Sequence, residues 1–373
     1  MSRHLIVVAS PFQLLCATEL VLTRGWNPED THLVILPPPN DRAGEQINSV
    51  ATLIEWPSIE RPRWASPAAA SKRLWLARTT RRFRGATTVV IGAYQLSMLR
   101  HLASAVRPGE VILVDDGSVT PAVERYRRAQ RRGLAASATF SGEARSASRS
   151  RLHRLAGVRT DELEALTYFS IYRLRPERPD WWHRNSLDAV ARLRAQRRTT
   201  GDETWVLGST LSHERIISEP THRRLVADMV QRATGPVRYV PHRDVPTWLA
   251  RLVEVSGAAE VTPLDRPVEL ALLDADVLPK SIVCTASTAV DVLATLFSDE
   301  VAVTAVLPDQ ADVRPPARRN MAEMRRRFRD DHPHVEVVAL RRADGTTASQ
   351  REAAGCRSRH PAPEDAARLE ATL

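Results

Sequence analysis

The sequence predicts an α/β protein built from two Rossmann-like, doubly wound halves. Short apolar runs alternate with segments of helical periodicity, first over 5–117 and again over 204–308. The apolar runs are nearly continuous, which is typical of parallel strands covered by helices on both faces. A chain of 373 residues is longer than one core usually holds, so two domains are expected.

In the first half, strands are predicted at 5–10, 31–39, 87–94 and 110–117, with helices at 11–25, 45–54, 94–106 and 119–135. Pro11 in the first turn and Gly25 after the last turn mark the ends of the first helix. The arginine-rich segment 134–157 is predicted to form a loop or lid. A strand at 166–174 then leads into a proline-rich connector at 175–182.

The second half repeats the pattern. Its elements are a strand at 204–210, a helix at 213–234, a strand and loop at 237–244, a helix at 247–257, a strand followed by a helix over 281–297, and a strand at 300–308. A helix predicted at 185–198 lies in the segment that joins the two halves. These elements predict an N-terminal domain at 1–183, a C-terminal domain at 204–340, and a polar tail at 341–373 that contains a short helix.

The formal net charge is +9, and Lys72 and Lys280 are the only lysines among 53 basic residues. A solvated arginine-rich surface explains this excess; attraction to nucleotide phosphates, acidic polymers or an anionic membrane surface is the alternative. Nucleic acid is not expected as a partner, because aromatic residues make up only 5% and no nucleic-acid-binding motif is present. No apolar run reaches the length of a membrane span, and the apolar run near the N-terminus is short for a signal peptide. The predicted location is the cytoplasm, with peripheral contact at the inner face of the membrane as an option.

The three cysteines, Cys16, Cys284 and Cys356, are far apart in the sequence. Their spacing matches neither a disulfide framework nor a zinc site, so no metal site is predicted. Cys16 and Cys284 lie among apolar residues and are expected to be buried.

Two adjacent carboxylates end the strand in the stretch VILVDDGSVTP. Asp115 and Asp116 stand where open α/β sheets bind ligands, beyond the carboxyl end of a strand. A carboxylate there can accept a proton from a hydroxyl nucleophile, and a neighbouring like charge raises its pKa. Gly117 permits a tight turn. An ordinary turn in which Ser118 caps the next helix accounts for the same residues.

His242 and Arg243 follow another predicted strand, in the stretch YVPHRD. A histidine at a strand end can donate a proton or a hydrogen bond to a leaving phosphate. An arginine can bind a phosphate or a carboxylate. A histidine in a surface loop is the alternative interpretation.

In the stretch CTASTAVDVLATL, at 284–296, several hydroxyl-bearing residues lie between a predicted strand and a predicted helix. Thr285, Ser287 and Thr288, together with the backbone N–H groups of the helix N-terminus, favour an anion. An ordinary helix cap explains them as well. The sequence contains no glycine-rich dinucleotide or P-loop motif.

The order of these motifs resembles the bacterial sialyltransferases of GT-B fold, particularly the polysialyltransferase-like group. The stretch ASPFQLLCATE, at 9–19, is similar to that family's Ser-Pro-aromatic-Gln-Leu-Leu signature. The stretch LGSTLSHERIIS, at 207–218, resembles the glycine-containing strand end that begins the family's second half. The acidic, histidine and serine/threonine motifs follow in the family's order, although Arg243 stands after His242 where proline is usual. The resemblance covers scattered stretches within 5–297.

The resemblance implies two Rossmann-like domains that face each other across a central cleft, with the acceptor on the N-terminal side and the nucleotide donor on the C-terminal side. It implies transfer of a sialic acid or related nonulosonic acid from a CMP-activated donor to a hydroxyl of a glycan or cell-surface polymer, without a metal. The implied base is Asp115 or Asp116, with Asp115 favoured, and His242 would act on the CMP phosphate. The other implied donor-binding residues are Ser10, Gln13, Gly117, Gly208, Ser209, Arg243, Thr285, Ser287 and Thr288.

Two other functions fit the same patterns. A GT-B transferase or epimerase that uses a UDP-sugar would share the fold, since a fold alone names no substrate. A non-catalytic protein that binds an anionic polymer would explain the arginine excess. Selective binding of CMP over UDP separates the first alternative from the sialyltransferase-like interpretation.

Overall fold

The computed structural model describes most of residues 3–340. The gaps within that span are 64–67, 133–162, 195–197, 244–250, 252 and 255–258. The predicted loop at 134–157, most of the predicted helix at 247–257 and the tail at 341–373 therefore lie outside the described residues. The chain divides into two compact units, each described separately below.

Unit 1 consists of Met1–Thr200, Leu264–Leu278 and Asp291–Glu300. Its main sheet contains β1 His4–Val8, β2 Thr31–Ile35, β3 Ile59–Glu60, β4 Thr88–Ile91, β5 Glu110–Val114, β6 Thr167–Ser170 and β7 Trp181–Arg184. The strands run in the order β3-β2-β1-β4-β5-β6-β7, and every pair is parallel. Strands 1 to 6 thus follow the doubly wound order 3-2-1-4-5-6, which reverses direction between β1 and β4.

The helices between these strands are α1 Pro11–Arg24, α2 Asp41–Ala51, α3 Ala68–Arg82, α4 Ser97–Val106 and α5 Val119–Arg131, and α6 Asp188–Leu193 follows β7. The first helix ends where the sequence predicts. The Ser10 side chain caps its N-terminus by accepting from the Gln13 N–H, and Pro11 occupies the first turn. Gly25 ends it in the left-handed conformation, with φ of 60°, which glycine adopts without steric cost.

Unit 2 consists of Gly201–Pro263, Pro279–Val290 and Val301–Leu373. The strands of its sheet are β9 Thr204–Leu207, β10 Val237–Val240, β11 Glu260–Val261, β13 Ser281–Cys284, β14 Ala302–Leu307 and β15 Glu336–Ala339. Two short strands that belong to unit 1, β8 Thr199–Thr200 and β12 Val277–Leu278, pair with each other. The order β11-β10-β9-β13-β14-β15 is again 3-2-1-4-5-6, with all pairs parallel. The direction reverses between β9 and β13. Two Rossmann-like, doubly wound units are therefore present, as the sequence predicts.

The remaining helices are α7 Glu219–Arg232, α8 Val268–Leu273, α9 Thr288–Leu296 and α10 Pro315–Asp331. Helix α8 belongs to unit 1, and α9 begins in unit 2 and continues in unit 1 from Asp291. Helix α7 begins six residues later than predicted, because Ser218 caps it and a proline follows in the first turn. The predicted connector at 175–182 was wrong in its last two residues, which begin the edge strand β7. The sequence prediction has no element that corresponds to α10 or β15.

The described cysteines, Cys16 and Cys284, form no disulfide bond and are fully buried, so the prediction that they are buried is confirmed. Among the residues that the structure describes, no helix is both long enough and apolar enough to cross a membrane.

Candidate functional site

The two adjacent aspartates follow β5 and differ in exposure. Asp115 is completely buried, whereas Asp116 is half-buried. Successive side chains at a strand end point to opposite sides, so one carboxylate enters the core while its neighbour stays accessible. The sequence alone does not distinguish these two environments.

The Asp115 carboxylate is held by the end of β6. Its Oδ1 accepts from the Ser170 hydroxyl at 2.6 Å, and its Oδ2 accepts from the Ile171 N–H at 2.7 Å. Burial raises the pKa of Asp115 to about 7, and these hydrogen bonds oppose the rise. Burial, rather than the neighbouring carboxylate invoked from the sequence, is the main cause. Asp115 therefore joins β5 to β6 inside the protein.

The Asp116 carboxylate is held by two glutamine amides, which we call the amide clamp. Gln13 Nε2 donates to Oδ1 at 2.6 Å, and Gln95 Nε2 donates to Oδ2 at 2.5 Å. The Ala9 N–H donates to Gln13 Oε1 at 2.7 Å, which fixes the amide so that its nitrogen faces the carboxylate. Gln13 belongs to α1, after β1, and Gln95 follows β4. The clamp thus spans the switch point of the first sheet.

Gly92, directly after β4, makes room for this clamp. A Cβ atom at position 92 would lie 2.2 Å from Gln13 Oε1 and 2.8 Å from Gln13 Cβ. Any side chain there would displace Gln13 from its place. Gly92 and Gln95 were not identified from the sequence, because their role depends on β4 lying beside β1.

The turn after the aspartates explains Gly117. Its φ of 59° is in the left-handed region, which favours glycine. The Val119 and Thr120 N–H groups donate to the backbone oxygens of Asp116 and Gly117, and the Ser118 side chain makes no capping hydrogen bond. The turn leads into α5 through backbone hydrogen bonds. The alternative interpretation of this stretch, in which the Ser118 side chain caps the helix, is therefore wrong.

In unit 2, Gly208 ends β9 in close contact with the segment after β10. A Cβ atom at position 208 would lie 2.7 Å from Tyr239 Oη, 3.0 Å from the His242 nitrogen and 3.3 Å from Pro241 Cα. The Gly208 N–H donates to the Val240 oxygen at 2.8 Å. Gly208 therefore brings the half-buried His242 next to the end of β9, so two predicted site residues lie together.

Ser209, the next residue, belongs to a buried network with a histidine that the sequence analysis did not identify. His222 Nε2 lies 3.2 Å from Ser209 Oγ, and its Nδ1 lies 2.7 Å from Ser212 Oγ. His222 is 1% exposed, and burial lowers its pKa to about 4. The neutral ring has one donor and one acceptor nitrogen, and the two hydroxyls satisfy both. This network fixes the loop that contains Ser209.

The hydroxyl-rich stretch lies between β13 and α9, as predicted. Ser287 Oγ accepts from the Ala289 N–H at 3.2 Å, which is an ordinary cap interaction. Thr285 is fully buried, and its hydroxyl has no hydrogen-bond partner. Thr288 is the first residue of α9, and Arg243 is half-buried after β10. The described histidine, cysteine and acidic residues include no group of three that could hold a metal ion.

The lowered pKa of His222 predicts a pH-dependent stability. The folded-state pKa of about 4 is below the unfolded value of about 6.5, so this contribution is complete above pH 6.5 and is lost as pH falls towards 4. Its magnitude is at most about 3 kcal/mol. Urea unfolding at pH 7 and pH 4.5 should therefore show a smaller pH effect in His222→Gln than in the wild type.

The matched control for this prediction is His213→Gln, a change at an exposed residue of the same loop. It should keep the wild-type difference between the two pH values. If His222→Gln also keeps that difference, the histidine is not held neutral by burial.

No protein-family model matches the chain, and no curated protein matches it. The chain is similar in structure to the 2,6-sialyltransferase of a Photobacterium species in a ternary complex with the donor product CMP and the acceptor substrate lactose. The identity is 11% and the TM-score 0.48, over 90% of this chain and 78% of that chain. It is also similar to MurG of Acinetobacter baumannii, with 12% identity and a TM-score of 0.42 over 91% and 86% of the two chains.

A third similar structure is UGT89C1 of Arabidopsis thaliana complexed with UDP-L-rhamnose, with 10% identity and a TM-score of 0.48 over 91% of this chain and 85% of that chain. Likeness at these identities and TM-scores concerns the fold and says nothing about the substrate. By its own sheet topology and sites, the chain is a two-domain, doubly wound α/β protein with polar groups at the switch point of each sheet.

Proposed function

We propose that the chain is a glycosyltransferase of the GT-B class that transfers a sialic acid or related nonulosonic acid from a CMP-activated donor to a hydroxyl of a glycan or cell-surface polymer. The amide clamp is the observation that carries this proposal. A half-buried carboxylate, oriented by two uncharged amides at a switch point, is suited to accept a proton from a hydroxyl group. The same negative charge disfavours a phosphate at this switch point.

The exposure of the two carboxylates favours Asp116 as the general base. The sequence interpretation favoured Asp115, with Asp116 in support. Asp115 is 0% exposed and both its oxygens bond to the end of β6, whereas Asp116 is half-buried. In this proposal Asp116 takes the acceptor proton and Asp115 holds the strand end that presents Asp116.

The proposed reaction is a single displacement. Asp116 removes the acceptor proton as the acceptor oxygen attacks the anomeric carbon of the donor sugar. The bond between that carbon and the phosphate oxygen breaks, and the electron pair leaves with CMP. His242 donates a hydrogen bond or a proton to the departing phosphate, so the proposed transfer needs no metal.

Donor binding is assigned to unit 2 on the chemistry of its switch point. Gly208 and Ser209 follow β9. The hydroxyl-bearing residues Thr285 and Ser287 precede α9, and Thr288 is its first residue. A helix N-terminus with hydroxyl groups suits a phosphate. The choice of CMP as the nucleotide is supported by the order of the sequence motifs, since the fold itself does not select a base.

Calorimetric titration of CMP, CDP, UMP and UDP into the full chain tests the donor assignment. We expect CMP to bind at least ten-fold more tightly than UMP or UDP, and His242→Ala to weaken CMP binding about ten-fold through loss of a charge-assisted hydrogen bond. His213→Ala, at an exposed position, is the control and should bind CMP as the wild type does.

The other outcomes of this titration identify the alternatives. Tight binding of UDP with weak binding of CMP would indicate a UDP-sugar transferase or epimerase. If no nucleotide binds, while an anionic polysaccharide does, the chain is a polymer-binding protein and the proposal is wrong.

A further inference from the structure

Among the described residues of unit 2, two buried hydroxyl groups lack any hydrogen-bond partner. They are Tyr239 Oη on β10 and Thr285 Oγ1 just after β13, and both residues are 0% exposed. Buried polar groups in folded proteins are nearly always paired, because an unpaired one costs free energy. Two such groups near one switch point suggest that a ligand completes their bonding.

The strand register places the two hydroxyls on either side of Gly208. Val206 of β9 pairs with Tyr239 of β10 and with Val283 of β13. Gly208 directly follows β9 and Thr285 directly follows β13, each two residues beyond this row. Because neighbouring strands lie about 5 Å apart, the two residues lie side by side at the ends of β9 and β13. Tyr239 Oη lies 2.7 Å from the point that a Cβ atom of residue 208 would occupy.

The surroundings favour an anionic oxygen as the occupant. The phenol and the threonine hydroxyl can each donate one hydrogen bond. Helix α9 begins three residues after Thr285. The N-terminus of a helix attracts negative charge. The switch point of a doubly wound sheet is where such ligands bind.

We propose that the hydroxyls of Tyr239 and Thr285 bind the phosphate of the nucleotide donor above the backbone of Gly208. This inference rests on the proposed function and adds Tyr239 as a donor-binding residue. The segment Pro241–Arg243 lies against Gly208, with the His242 nitrogen 3.0 Å and Pro241 Cα 3.3 Å from its would-be Cβ. Binding of a phosphate at this place requires the segment Pro241–Arg243 to move away from Gly208.

The variant Tyr239→Phe tests the inference, because it removes one oxygen atom and keeps the ring. We expect CMP to bind about ten-fold more weakly to Tyr239→Phe than to the wild type, as measured by calorimetry. The affinity for cytidine, which has no phosphate, should not change. The melting temperature without nucleotide should stay the same or rise, since an unpaired buried group is removed.

Tyr168→Phe is the matched control. Tyr168 is also 0% exposed with an unpaired hydroxyl, but it lies on β6 in unit 1. Removal of the Tyr168 hydroxyl should change the melting temperature as little as removal of the Tyr239 hydroxyl does, and it should not affect CMP binding. If CMP binds more weakly to Tyr239→Phe but not to Tyr168→Phe, the loss of affinity is specific to the site at Tyr239 and Thr285.

Thr285→Val extends the test to the second hydroxyl. Alone it should weaken CMP binding several-fold, and combined with Tyr239→Phe the losses should be non-additive, because both groups hold one phosphate. Unchanged CMP affinity in Tyr239→Phe, or an equal loss for CMP and cytidine, would overturn the inference.

The nucleotide panel separates this inference from the donor assignment. If the wild type prefers UDP, the CMP donor is wrong, yet a loss of UDP affinity in Tyr239→Phe with unchanged uridine affinity would support the phosphate site. If the wild type binds CMP selectively and Tyr239→Phe matches it, the donor assignment holds and the Tyr239 site is wrong. Failure of every nucleotide to bind the wild type would overturn both.

Discussion

Asp116→Asn is expected to lower kcat for transfer by about three orders of magnitude, because general-base catalysis typically contributes factors of this size. The asparagine has nearly the same shape but cannot accept the acceptor proton at neutral pH. The donor Kd should stay within about two-fold, since donor binding is assigned to unit 2. Initial rates of CMP release, together with CMP titrations, measure both quantities.

Two further variants make this result specific. Asp188→Asn, at an exposed aspartate of α6 in the same unit, should retain wild-type turnover. Asp115→Asn should reduce turnover much less than Asp116→Asn, because the buried carboxylate acts on the end of β6 and not on substrate. A folded Asp115→Asn variant with a loss as large as that of Asp116→Asn would return the base role to Asp115.

Gly92→Ala is expected to destabilise unit 1 by about 2 to 4 kcal/mol and to reduce turnover about a hundred-fold. The added methyl group would overlap the Gln13 side chain, with contacts of 2.2 to 2.8 Å. Overpacking and the loss of buried hydrogen bonds both contribute to the destabilisation. The displaced amide would no longer orient Asp116. Urea unfolding and steady-state rates check the two effects.

Gly44→Ala is the control, because it makes the same chemical change inside α2. Its nearest contact would be the end of the Pro38 ring at 3.3 Å, and alanine is favoured over glycine within a helix. Its free energy of unfolding should be unchanged or slightly higher, with normal turnover. If Gly92→Ala behaves like Gly44→Ala, the amide clamp does not depend on the absence of a side chain at position 92.

Much of the fold could be predicted, because its signals are local. Ser10, Pro11 and Gly25 define α1 through capping and backbone conformation, and the apolar runs define the central strands. Strand β7 was missed because its residues are largely exposed and follow two prolines, so no apolar run marks it. The late start of α7 had a signal in Ser218 and the proline after Glu219, but helical periodicity in the preceding loop obscured it.

The site was predictable only where a residue type already suggests chemistry. Asp116, Gln13, Gly208 and Ser209 lie at strand ends, and strand ends can be located from sequence. Gln95 and Gly92 acquire their role from the neighbouring β1, which is more than 80 residues away in sequence. In the sequence, His222 is one polar residue among the arginines of an amphipathic helix, and nothing marks it as buried. Only the fold shows that its ring lies against Ser209 and Ser212. The opposite exposure of Asp115 and Asp116 likewise depends on the packing of β6.

The most direct test of the central claim is to incubate the full chain with CMP-sialic acid and a mixed set of glycan acceptors, and to measure CMP release and product mass together. We expect CMP release in equal amount to the sialic acid residues added to a glycan, whose mass grows by one or more such residues, and loss of both signals in Asp116→Asn. Consumption of a UDP-sugar instead, or turnover that persists in Asp116→Asn, would contradict it.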